Sequence, residues 1–170
     1  KVDYERIGER EYVEVFAVEY KGDKDAYLDV VKKAMGQGRV LVLDCKDADT
    51  AAAALELCAA EKPILNAATP ENYAAMNELA TKYGVVLGVS APDLDALYDT
   101  TAALEALGNK NLILDVTGAD AKTTFANAVQ VRRAALKNQD RTFGYPSIVN
   151  VAKLAKDDFR TQVALASMFV

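Results

Sequence analysis

Residues 85–115, VVLGVSAPDLDALYDTTAALEALGNKNLILD, hold one complete strand–helix–strand unit. Val85 to Val89 is a short apolar run of strand length. Pro92-Asp93 then opens a helix, because proline suits a first helical turn and an aspartate side chain can accept a free amide there. Leu94, Leu97, Thr101 and Leu104 recur on one face of that helix, and Gly108 ends it. Asn111 to Asp115 returns as a second apolar strand. A strand of this length followed by a crossover helix and another such strand is the pattern of a parallel sheet.

The same unit repeats outward in both directions. Towards the amino end the pattern predicts a first strand over Val13–Val18, a helix over about Lys24–Met35 carrying Leu28, Val31 and Met35 on one face, and a second strand over Arg39–Leu43. An alanine-rich helix over about Ala48–Ala60 and a third strand over Pro63–Asn66 follow. Thr69-Pro70 is expected to start the next helix, by threonine capping and proline at the first helical position, and Gly84 to stop it after Tyr83. Towards the carboxyl end, a helix over about Asp120–Leu136 leads to a sixth strand over Tyr145–Val149, and a last helix starts near Asp157 and is still running at Val170.

Strand centres spaced this way, with no glycine-rich nucleotide loop, fit a (β/α)₈ barrel of which five to six units lie in this sequence as a single domain. Gly36-Gln37-Gly38 precedes a strand instead of following one, so it reads as a turn and not as a dinucleotide fingerprint. Six strands do not close an eight-stranded barrel. The remaining two units are expected beyond Val170, unless the sheet is open and doubly wound, which six parallel strands also satisfy.

Composition narrows the chemistry. The chain has 170 residues, 51% of them hydrophobic, and a formal charge of −5 with acids and bases interspersed. That offers no basic face for nucleic acid. Its apolar runs fall far short of the roughly 20 residues of a membrane span, and the charged first residues show no signal segment. A soluble, cytoplasmic protein is expected. There is no histidine, which excludes Ser-His-Asp and Cys-His hydrolases and leaves few ligands for a metal site. Two cysteines make no disulfide framework. Cys58 falls on a packed helix face; Cys45, beside Asp44 at a strand end, would be reactive only if exposed near a helix amino end.

In either architecture a ligand site forms beyond the carboxyl ends of the strands. The residues there are Asp44 and Cys45, Asn66 and Thr69, Ser90 and Asp93, then Asp115, Thr117 and Gly118. From these, Asn66, Ser90, Asp115 and Thr117 are the cofactor-binding candidates. Asn66 and Asp115 pair an amide with a carboxylate, a combination suited to a flat heterocycle such as a pterin. The same residue types also simply cap helices and tight turns. Arg132-Arg133 and Lys137 read as a solvated basic face, and Tyr73, Tyr83 and Tyr98 as core or subunit-contact residues. No catalytic residue and no metal ligand is assigned.

Several segments, in order, resemble one family. They are Tyr27-Leu28-Asp29-Val30-Val31-Lys32-Lys33, Lys62-Pro63-Ile64-Leu65-Asn66-Ala67-Ala68-Thr69-Pro70-Glu71-Asn72-Tyr73, Val89-Ser90-Ala91-Pro92-Asp93-Leu94-Asp95, and Gln130-Val131-Arg132-Arg133-Ala134-Ala135-Leu136-Lys137 leading to Phe143-Gly144-Tyr145-Pro146-Ser147-Ile148. Together they are similar to the large (gamma) subunit of the corrinoid iron–sulfur protein of the carbon monoxide dehydrogenase/acetyl-CoA synthase system. The resemblance implies a central barrel between a [4Fe–4S] domain and a cobalamin domain, paired with a small corrinoid-protein subunit. It implies methyl transfer on cobalamin, with a methyltransferase and carbon monoxide dehydrogenase/acetyl-CoA synthase as partners. The span itself holds no set of four cysteines for a cluster, so it is expected to bind neither cofactor alone and to act as a scaffold. Two alternatives stay open: a free-standing methyltransferase-like barrel binding a pterin through Asn66, Ser90 and Asp115, and an unrelated doubly wound binding domain.

Overall fold

The computed structural model describes residues 3–169. A two-stranded antiparallel hairpin of β1 (Asp3–Arg6) and β2 (Glu9–Tyr12) comes first. A six-stranded parallel sheet follows, of β3 (Val15–Glu19), β4 (Val40–Asp44), β5 (Ile64–Ala68), β6 (Val86–Ser90), β7 (Leu112–Asp115) and β8 (Ser147–Ile148). The connecting helices are α1 (Lys24–Ala34), α2 (Ala48–Cys58) with a 3₁₀ turn at Ala59–Glu61, α3 (Tyr73–Tyr83), α4 (Leu94–Ala106) and α5 (Ala121–Lys137). After β8 come the short α6 (Val151–Ala155) and α7 (Phe159–Phe169).

Strand order in the sheet equals chain order. Right-handed crossovers that always step in the same direction leave every crossover helix on one face. A doubly wound sheet needs a reversal of order, so that alternative is overturned. Register makes the two faces explicit. Leu41, Leu43, Leu65, Leu87, Leu112 and Leu114 point to the helices and are buried with Val31, Leu55, Met76, Leu97 and Leu104. Burying side chains of this size stabilises by roughly 1.5–3 kcal/mol each. The other parity, paired across strands as Ala17–Val42, Val42–Ile64, Ile64–Val86 and Gly88–Ile113, lines the opposite face.

That second face is curled. Three strand steps of about 4.8 Å separate β4 from β7, so in a flat sheet Asp44 and Asp115 would stand roughly 14 Å apart. Instead one ammonium, that of Lys153, lies 3.1 Å from Asp44 Oδ2 and 3.9 Å from Asp115 Oδ2. The sheet is therefore a half-barrel with a polar cluster at the carboxyl end of its strands.

The helix starts are written in aspartates. Asp23, Asp47, Asp93 and Asp120 accept from the amides of Ala26, Thr50, Ala96 and Thr123 at 2.7–3.0 Å. The predicted start at Thr69-Pro70 is corrected: α3 begins at Tyr73, and residues 69–72 form a turn in which the Thr69 carbonyl accepts from the amides of Asn72 and Tyr73. The Thr69 hydroxyl beside Glu71 holds that carboxyl below its ordinary range, and the residue at the cap of α3 is Asn72, whose side chain accepts the Thr69 amide instead of a helix amide. The sixth strand shortens to Ser147–Ile148, and the last helix starts at Phe159, capped by Asp158. Its expected continuation to Val170 lies outside the described residues. Unforeseen were α6 and the hairpin, whose Ile7-Gly8 tip has φ of 52° and 78° at its two central residues, the positive angles that a tight two-residue turn requires.

Candidate functional site

At the carboxyl edge of the half-barrel, the strand register lines polar side chains along the inner face. Asp44 on β4 pairs in register with Asn66 on β5, and Ser90 on β6 pairs with Asp115 on β7. The Asn66 amide nitrogen donates to Asp44 Oδ1 at 3.1 Å. Asp115 Oδ1 accepts the Thr117 amide at 3.0 Å, and the Thr117 hydroxyl oxygen accepts the amide of Asn150 at 2.8 Å, which ties the loop after β7 to the segment after β8. Asn150 in turn caps α6 by accepting from the Lys153 amide. This short helix is what carries the Lys153 ammonium to the two carboxylates.

Burial decides the electrostatics. Asp44 is 8% exposed and Asp115 5%, and two carboxylates at that depth require a partner, since desolvating an unpaired charge costs several kcal/mol. Lys153, whose side chain is 38% exposed, is that partner and sits between two clefts. One, of about 470 Å³, is lined by Thr69, Glu71, Ser90, Asp115, Thr117 and Lys153 among others. The second, of about 580 Å³, is lined by Glu19, Tyr20, Asp44, Lys46, Asp47 and Lys153.

Of the four sequence-derived candidates, Ser90, Asp115 and Thr117 thus share one cleft wall, and Asn66 stands one strand away, joined to them through Asp44 and Lys153. Asn66 is 2% exposed, and its Oδ1 is buried without a hydrogen-bond donor. Sequence reasoning missed Lys153. The signal available was an asparagine after a strand, Asn150, three residues before it, which is the spacing of a helix cap.

The thiols are not part of a reactive site. Cys45 is 1% and Cys58 0% exposed. Burial raises both thiols, Cys58 to about 11, and Cys58 Sγ donates to the Ala54 carbonyl at 3.2 Å in the manner of a packed small residue. Two buried, protonated thiols do not suit an iron–sulfur cluster, which takes four thiolates. Among the described residues no group of three or more Cys, Asp or Glu side chains is placed to hold a metal. Arg132, Arg133 and Lys137 lie exposed on α5, while Tyr73 and Tyr83 pack against the core. Tyr98 meets Phe143 edge to face at 5.2 Å. No described helix is long and apolar enough to cross a membrane.

The fold and site define a singly wound parallel α/β protein of half-barrel shape whose strand ends carry a buried carboxylate–amide–ammonium cluster. Residues 2–166 match the family described as CO dehydrogenase/acetyl-CoA synthase delta subunit, and the chain belongs to that family. It is similar to the acetyl-CoA decarbonylase/synthase complex subunit gamma of Archaeoglobus fulgidus, with 35% identity over 88% of this chain and 34% of that protein. It is likewise similar to the corrinoid/iron-sulfur protein large subunit of Moorella thermoacetica, with 34% identity over 86% of this chain and 33% of that protein. The gamma subunit of Methanothermobacter thermautotrophicus is 29% identical over 92% of the chain. The chain spans about a third of the length of these relatives.

Proposed function

We propose that this chain is part of a (β/α)₈ barrel serving as the scaffold of a corrinoid iron–sulfur protein large subunit, in the cytoplasm. In this reading the assembled protein carries methyl groups between a methyltetrahydropterin methyltransferase and acetyl-CoA synthase. Family membership and the names of the relatives support the assembly, and the singly wound strand order supports the barrel. The observation that carries the scaffold role is the use of the mouth groups on one another: Asp44, Asp115, Lys153 and Thr117 are held in mutual contacts. With these groups engaged on one another, the span orients and docks while cobalamin, held elsewhere in the subunit, carries the methyl-transfer steps.

The test uses the full-length protein. Co-purification with the small corrinoid-protein subunit, together with no saturable binding of methyltetrahydrofolate in calorimetry, is the expected result. Saturable methyltetrahydrofolate binding that Asn66→Ala and Asp115→Ala each abolish would instead establish a pterin-binding barrel and overturn the scaffold reading.

A further inference from the structure

We propose that Asp44, Asn66 and Asp115 form a cation site at the mouth of the half-barrel, that the Lys153 ammonium stands between its two carboxylates in this structure without engaging the Asn66 oxygen, and that a hard divalent cation takes all three when the lysine withdraws. Charge is the first argument. Two carboxylates, each less than a tenth exposed, face a single ammonium. Lys46 lines the neighbouring clefts but makes no ion pair with either carboxylate among the described residues. One negative charge is therefore left over in a desolvated place, and a divalent ion would neutralise both.

The second argument is an orphaned acceptor. Asn66 donates through its amide nitrogen to Asp44, on one side of its strand, so its Oδ1 points to the other side, over Gly88 of β6 and towards β7, which carries Asp115. That oxygen is buried with no donor. An unpaired buried carbonyl costs about 1–3 kcal/mol, a cost that a cation ligated by it removes. Two carboxylates and an amide oxygen make an all-oxygen donor set, the kind that calcium accepts with water completing its shell.

The third is that the present occupant is detachable. The Lys153 side chain is 38% exposed, and its longer contact, 3.9 Å to Asp115, is a loose one. It rides on a five-residue helix with no buried residues. Withdrawal of the ammonium therefore loosens α6 from the mouth, so cation occupancy and the position of α6 are coupled.

Calcium chloride is the probe, applied to the full-length protein with choline chloride at equal ionic strength as control. Lys153→Met is expected to bind one calcium with an affinity about tenfold or more above wild type, and Lys153→Met/Asp115→Asn to lose that gain. In the wild-type protein, acetic anhydride labelling read by mass spectrometry should rise at Lys153 when calcium is added, with exposed Lys137 unchanged. Equal calcium affinity in wild type and Lys153→Met overturns the proposal. Should Lys153→Met fail to fold, unchanged labelling of wild-type Lys153 across the calcium titration overturns it.

Discussion

Asn66 Oδ1 sits so close over Gly88 that a Cβ at position 88 would stand 2.2 Å from it, and 3.2 Å from the Asn66 Cα. The missing side chain on β6 is what lets the buried amide of β5 lie flat on the sheet and reach Asp44. Gly88→Ala is therefore expected to destabilise by about 1–3 kcal/mol through overpacking, read as a lower urea midpoint. Combining it with Asn66→Ala should recover part of the loss. Strict additivity of the two substitutions would show that the contact does not exist.

Cys58 gives the chain an alkaline limit. Its thiol, ordinarily near 9.0, is raised to about 11 by burial. Between those values the unfolded chain ionises while the folded one stays protonated, so the folded state binds more protons and stability falls as pH rises. Below pH 9 the contribution is constant. Urea midpoints should decline from pH 9 to 11, with a shallower decline in Cys58→Ala. In the same buffers at neutral pH, Ellman's reagent should react slowly with both thiols until denaturant is added.

Asp93 caps α4 by accepting the Ala96 amide at 2.8 Å. Asp93→Ala leaves that amide without its partner and should lower stability by about 1 kcal/mol, whereas Asp93→Asn should retain most of it. Equal losses in the two variants would mean that charge at the helix end, not the accepted hydrogen bond, is what matters.

Glu105 pins the loop between α5 and β8. Its two carboxylate oxygens accept the hydroxyls of Thr142 and Tyr145, each at 2.9 Å, and the Tyr145 phenol is raised above its ordinary value by burial and by that carboxylate. Glu105→Ala should free the loop and speed tryptic cleavage after Arg141 several-fold, since cleavage follows local opening. An unchanged digestion rate would assign the loop's order to the Tyr98–Phe143 contact instead.

Period and punctuation made the parallel strands legible, because runs such as Val85–Val89 and Leu112–Asp115 are buried on the helix side by residues of one parity. The carboxyl edge followed from the fold class, which is why Ser90, Asp115 and Thr117 fell together in one cleft. Lys153 escaped because its reach across the sheet depends on curvature, a property of six strands together that no local window contains. The hairpin escaped for another reason. Its facing pairs, Glu5 with Arg10 and Arg6 with Glu9, are charged on both strands, so it lacks the apolar alternation by which strands are recognised. Thr69 misled because the turn it opens is closed by Asn72, whose Oδ1 accepts the Thr69 amide at 2.6 Å, so that the helix starts one turn later.

Because spatial neighbours in the sheet are also chain neighbours, with partners such as Val42 and Ile64, or Ile64 and Val86, only 22 positions apart, each pairing closes a loop of similar and modest entropy. Assembly on a ribosome can then proceed like laying staves, one crossover after another, each newly emerged segment finding its template already in place. Within these six strands no pairing reaches to a distant portion of the polypeptide, which keeps the closure cost of each step low.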